Sequence, residues 1–198
     1  MTIILRMESK TIESKTIEQH PLNDQWSWWE HRKASSEDDY SNNTVRCADF
    51  ETVEGFWQCM NNIPSPSEFF YNGHNNRKFK NKEGSKRHVI SFSVFRKGIH
   101  PSWEDDANRC GGDFTFKKFR DTRKLDEVWE ESILHMISGN YPNIVGTRIV
   151  DTSVKGKNLY KLEIWFSPKD AEESLKPLMD TINDDYRLKG YYTKYHSS

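Results

Sequence analysis

Between Leu125 and Phe166 the spacing of apolar side chains changes period, and that change restricts what this chain can fold into. Leu125, Val128, Trp129, Ser132, Ile133, Met136 and Ile137 recur every three or four residues. That spacing is one face of a helix over 122–138, and Gly139 supplies its stop. Residues 144–151 and 159–166 then bracket Lys155-Gly-Lys157 and read as a hairpin. Along the second of these strands Tyr160, Leu162, Ile164 and Phe166 point one way, while Leu159, Lys161, Glu163 and Trp165 point the other. The apolar row requires a helical cover. The second row puts a lysine, a glutamate and a tryptophan on a face that no helix covers, where a large indole needs a reason.

The rest of the chain extends the pattern. His20–Trp29 reads as a strand with Leu22, Trp26 and Trp28 at even spacing and Trp29 opposite them. Residues 34–43 are rich in Ser, Asp and Asn and read as a loop. Val53, Phe56, Trp57 and Met60 mark a helix that starts near Thr52. Further strands are expected over 89–95, at Gly111–Phe116 and at 191–195. Ser167-Pro168 reads as an N-cap and first helical residue. The helix that follows carries Leu175, Leu178, Met179 and Ile182, with Pro177 expected to kink or split it. Short turns and single helices between strands predict an α+β domain, a mainly antiparallel sheet with helices on one face. Residues 1–19, with the repeat Ser9–Glu13 and Ser14–Glu18, read as a disordered tail, and 20–198 as one domain with a long insertion at about 61–88.

Charge narrows the function. With 29 Lys plus Arg against 30 Asp plus Glu, the net charge of −1 argues against a long duplex footprint and against DNA. It suits a small anionic ligand held by a few cations. The three cysteines show no metal-ligand spacing, and neither a signal peptide nor a membrane span is visible. The expectation is a soluble intracellular protein, cytoplasmic with nuclear presence left open, without metal or cofactor.

Trp103-Glu104-Asp105-Asp106 follows a Gly98/Pro101 loop. An indole beside a carboxylate suits an electron-poor purine: the ring stacks on the base and the acid accepts two N–H bonds from a guanine edge. A methyl at N7 makes the base cationic, so stacking becomes a cation–π contact of about 0.5–2 kcal/mol. A nearby Lys or Arg would meet phosphates.

Over roughly residues 20–196 the chain resembles the cap-binding translation initiation factor 4E family. The likeness rests on His20-Pro-Leu with Trp26 and Trp29, Phe50-x-Thr-Val-Glu-x-Phe-Trp57, Gly98-Ile-x-Pro-x-Trp-Glu-Asp105, Asn108-x-x-Gly-Gly112 and Ile164-Trp165. It implies a curved antiparallel sheet of about eight strands with three helices packed on the convex face, and binding of the 7-methylguanosine cap of mRNA. Carried across, Trp103 is a cap-stacking tryptophan, Glu104 reads the guanine edge and Trp165 lies against the N7 methyl. Tyr40, in Glu37-Asp-Asp-Tyr40, matches the second stacking aromatic, as in the divergent, often repressive class. Lys155, Lys157 and Lys161 match the phosphate ligands. Asp113 stands where many members have Arg, which removes one cation and puts a like charge near the phosphates.

The resemblance also implies a dorsal patch for scaffold or regulatory proteins bearing a Tyr-x-x-x-x-Leu helix with a following apolar residue. Its members here are His20, Pro21, Leu22, Val53, Trp57, Glu131 and Leu134, with Glu130 and Ser138 departing from the usual apolar residue and Gly. Bland readings stand beside these: Trp57 as core, Tyr40 as a free loop aromatic, the remaining histidines as structural, and the basic run at 77–88 as a solvated loop. A cap-processing enzyme is the rival class, but it needs clustered carboxylates for Mg²⁺ or a Gly-rich nucleotide loop, neither of which is visible. A general single-strand RNA binder is the third reading.

Overall fold

A computed structural model describes residues 18–33, 43–70, 89–154 and 157–196. The tail over 1–17, Tyr40, the 77–88 basic run and Lys155 lie outside them. Seven strands form one antiparallel sheet: β1 Pro21–Arg32, β2 Thr44–Thr52, β3 Val89–Arg96, β4 Gly112–Phe116, β5 Ile144–Asp151, β6 Tyr160–Phe166 and β7 Tyr191–Tyr195. Their spatial order is β2-β1-β3-β5-β6-β4-β7. Three long helices, α1 Val53–Asn62, α4 Arg123–Ile137 and α5 Glu172–Tyr186, accompany two short ones, α2 Pro66–Phe70 and α3 Asp106–Arg109. The α+β architecture agrees with the expectation, with seven described strands where about eight were expected.

Alternation decides which strand residues enter the core. Trp26 and Trp28 of β1, Phe92 and Val94 of β3, Phe114 and Phe116 of β4, and Tyr160, Leu162, Ile164 and Phe166 of β6 join the helices in one buried cluster. From α4 come all seven residues of the predicted stripe, each buried. Trp28 meets Trp129 edge to face at 5.4 Å, a geometry that contributes about 0.5–1.5 kcal/mol beyond area burial. The hydroxyl of Thr147 on β5 donates to that of Ser132 on α4, so even the polar position of the stripe is satisfied. Gly139, at φ 78°, turns the chain out of α4 in a conformation other residues adopt with strain. Among the described residues no helix is long and apolar enough to cross a membrane.

Four details differ from the sequence expectation. β2 was not foreseen: it is an edge strand that buries only Phe50, so it shows no apolar alternation. Within the stretch read as an insertion, Pro66–Phe70 form α2, whose Phe70 stacks on Phe92 and Tyr160 and whose Ser67 N–H donates to Asp126 on α4 at 2.8 Å. Ser167 does not cap a helix. Its N–H donates to Asn143 O at 3.0 Å, Pro168 is the cap, and a 3-10 turn over Lys169–Ala171 precedes α5. Pro177 does not split α5, which is continuous from Glu172 to Tyr186. Pro177 is exposed, so the Glu173 carbonyl it leaves without a donor faces water, while Leu175, Leu178, Met179 and Ile182 hold the inner face.

Gly111 marks the closest backbone approach, since a Cβ there would lie 1.9 Å from Phe166 O on β6. Gly111→Ala is therefore expected to cost about 1–3 kcal/mol or more, read as a lower denaturant midpoint at unchanged m.

Candidate functional site

The segment joining β3 to α3 is laced by side-chain hydrogen bonds. Asp105 caps α3 by accepting from Ala107 N at 3.0 Å and also accepts from His100 N at 2.8 Å. Asn108, fully buried, donates from Nδ2 to His100 O at 2.8 Å and Ser102 O at 2.7 Å. Arg109 donates to Glu104 O at 2.9 Å. The backbone of 100–105 is thus fixed from inside while the side chains of Trp103 and Glu104 project outward. Trp103 is 55% exposed, the most open tryptophan among the described residues. No described donor engages the Glu104 carboxylate. A rigid loop presenting a bare indole and a bare acid resembles a recognition element far more than a packing contact.

Trp165 lies on the sheet face opposite the helices, as alternation requires, but that face is not bare. With Phe95 and Val145 it forms a second buried cluster, flanked by Ile99, and only 5% of Trp165 is exposed. Phe95 meets its ring edge-on at 5.3 Å, and His196 tilts over it at 4.4 Å. The Trp165 indole N–H donates to Glu163 Oε2 at 3.2 Å, and the other oxygen of Glu163 pairs with Lys161. Lys161 therefore shares its charge with an acid of its own strand. Lys157 is exposed.

Asp113 is no unshielded like charge. It is buried, accepts from the Thr115 hydroxyl and faces His196 Nε2 at 3.2 Å. The Nδ1–H of His196 donates to Asn108 O at 2.9 Å. Asn108 accordingly joins both halves of the site: its amide pins the Trp103 loop, and its carbonyl holds the histidine that packs on Trp165. His196 was among the histidines read as structural; it lies 83 residues from Asp113, and no local spacing could have paired them. His31 is buried against Ser93 Oγ at 2.8 Å, and burial, then Arg148 and His100, push its pKa well below the ordinary histidine value. Its ring is neutral at pH 7. Among the described residues no group of three His, Cys, Asp or Glu side chains could hold a metal ion.

On the helical side, α1 resolves the choice between its two stripes. Phe56 is in the core and Met60 packs against it, whereas Trp57 is 40% exposed and Val53 is open. Pro21, Leu22, Val53, Trp57 and Leu134 line one groove of about 360 Å³ together with Ser138. Trp57 also borders a neighbouring groove of about 220 Å³, whose far side holds Glu130. His20 closes the end of α1 through Glu54, with Nδ1 2.6 Å and the backbone N–H 2.9 Å from its two oxygens. These hydrogen bonds hold the Glu54 carboxylate down to about 2, so the clasp is complete above the ordinary carboxylate range and is lost as pH falls toward that value. Glu131 pairs with His135 at 3.1 Å and lines neither groove.

Asn108→Ala removes the two hydrogen bonds of a buried amide and is expected to cost about 1–3 kcal/mol. Amide exchange should rise across 100–105 and leave α4 protected.

Residues 21–197 match the family model for eukaryotic initiation factor 4E. Eukaryotic translation initiation factor 4E1 of Drosophila melanogaster is 29% identical over 183 residues, spanning 89% of this chain and 61% of the fly protein. The Saccharomyces cerevisiae factor 4E is 29% identical over 162 residues, spanning 79% of this chain and 66% of the yeast protein. The chain thus spans under two thirds of the length of both. Among solved structures, Ascaris suum eIF4E-3 in complex with m7G cap aligns with TM-score 0.68 at 21% identity, covering 91% of this chain and 93% of that one. Caenorhabditis elegans eIF4E-3 with the 4E-binding protein Mextli aligns with TM-score 0.67 at 21% identity, covering 90% and 94%. The chain belongs to the eukaryotic initiation factor 4E family.

Proposed function

We propose that this protein binds the 7-methylguanosine cap of mRNA, as a binding protein rather than an enzyme, and acts in the control of translation initiation. The observation that carries the reading is the laced loop that holds Trp103 and Glu104 outward. In this reading Trp103 stacks on one face of the cationic base, Tyr40 covers the other, and Glu104 accepts from the guanine N1 and N2 edge. Trp165 walls the N7 methyl, its ring held by Phe95 and His196. Lys155, Lys157 and Lys161 meet the phosphates, Lys161 in exchange with Glu163. Catalysis is not needed for any of these roles. The complex of the Ascaris protein with m7G cap supports the ligand.

The second half of the proposal is a partner site. A helix with Tyr-x-x-x-x-Leu and a following apolar residue lays its apolar face along the groove of Pro21, Leu22, Val53, Trp57 and Leu134, with His20 and Glu131 at its margins. The C. elegans complex with Mextli supports this class of partner. Glu130, on the wall of the adjoining groove, favours a partner that brings a basic residue there, and so a regulator distinct from the usual scaffold.

Tryptophan fluorescence titration checks the cap. Methylated GTP should bind at least roughly tenfold more tightly than GTP, since the cation–π gain reaches about 2 kcal/mol in a desolvated site. Trp103→Leu should lose about 1–3 kcal/mol of binding, and Glu104→Gln should lose the preference for guanine. Equal affinity for the two nucleotides in the wild type would sink the reading. For the partner site, Trp57→Ala should weaken a Tyr-x-x-x-x-Leu peptide by about 2 kcal/mol or more and leave nucleotide binding unchanged.

A further inference from the structure

Where β6 begins, the fold forms a solvent-open cavity of about 510 Å³ that shares no lining residue with the Trp103 loop or the grooves at Trp57. Its walls carry five cations. Lys118 and Arg120 come from the segment after β4, Lys124 from the first turn of α4, and Arg187 and Lys189 from the turn between α5 and β7. Lys124 Nζ donates to Tyr186 O at 2.8 Å and ties two walls together. The one lining carboxylate, Asp121, is engaged by Arg123 at 3.3 Å, whose hydrogen bond holds it below its ordinary value. No described carboxylate pairs with Lys118, Arg120, Arg187 or Lys189. In a chain of net charge −1 this is a local concentration, not a reflection of a basic protein.

Backbone geometry adds a second observation. Arg187, at φ 51°, ends α5, and Lys189 follows at φ 67°. Both hold left-handed conformations in which glycine is relaxed and a long side chain is strained. Arg187 ends the helix with its N–H on Asn183 O and Asp184 O, so the turn that stops α5 is what brings both cations to the cavity wall.

We propose that this cavity holds phosphates of the RNA chain a few nucleotides beyond the cap. The direction of that chain rests on the cap reading. Leu159, on the cavity wall, leads directly into β6, which carries Lys161 two residues on and Trp165 six residues on. A strand rises about 3.3 Å per residue, so the cavity lies about 20 Å from the methyl wall. Cations without an exposed aromatic platform grip the backbone rather than the bases, so the contact is indifferent to sequence.

The test compares the wild type with Arg120→Gln/Arg187→Gly/Lys189→Asn, in which the second and third changes relieve the left-handed strain and so preserve the fold. Anisotropy of short 3′-labelled capped and uncapped oligoribonucleotides is measured across a salt series, alongside methylated GTP. For three lost phosphate contacts the slope of log affinity against log salt should fall by about 2, and capped-RNA affinity should drop roughly tenfold or more at low salt. Methylated GTP should bind both proteins equally. If the wild type shows no preference for methylated GTP yet the variant loses uncapped RNA, the cavity stands and the cap reading fails. Unchanged affinity and slope for both RNAs would overturn the cavity. Displacement of the labelled RNA by an acidic phosphopeptide at far lower concentration than by unlabelled RNA would overturn RNA as its ligand.

Discussion

Side-chain alternation along β6 is the constraint on which the rest of this structure depends. Tyr160, Leu162, Ile164 and Phe166 must all meet the helices, so Lys161, Glu163 and Trp165 must all meet the other face. A slip of one residue in register would exchange the two sets and would place a lysine and a glutamate under α4. Because β6 is bordered by β5 and β4, both neighbours inherit the same division. Asp113 and Thr115 join Trp165 on the open face, while Phe114 and Phe116 enter the core. The helices thereby fix the composition of a sheet face they do not cover.

On that surface the polar groups specify geometry more than they add stability. Asp113 and His196 meet in a buried polar contact, and taking both groups out of water costs much of what their hydrogen bond returns. What the pair does provide is position: His196 rests on Trp165 and bonds to Asn108, whose amide holds the Trp103 loop. Two tryptophans from distant segments are tied through one asparagine. Asp113 thus acts on this face from within, as the partner of His196.

Three surfaces of different chemistry coexist on one small domain: a rigid aromatic and acidic loop, an apolar groove behind α1, and a basic cavity at the start of β6. They use separate residues, and in the readings proposed above the forces differ as well: cation–π attraction, apolar burial and counterion release respectively. Salt should therefore act strongly on the third and weakly on the second.

Taken alone, the residue pattern determined the periodic parts of this protein: α4 with its full buried stripe, the hairpin of β5 and β6, and the outward row that carries Trp165. It also put an indole and a carboxylate side by side after the Gly98/Pro101 loop, and the structure leaves both exposed. Edge strand β2 and helix α2 were not legible, since an edge buries one residue in nine and a five-residue helix has too few turns for a period. Only the tertiary structure decided that Trp165 is covered, that Asp113 meets His196, that Trp57 is open while Phe56 is not, and that five cations surround one cavity. The physical reason is common to all four. Periodicity is set by local backbone geometry and can be read along the chain, whereas these contacts join side chains tens of residues apart and exist only once the sheet has chosen its strand order.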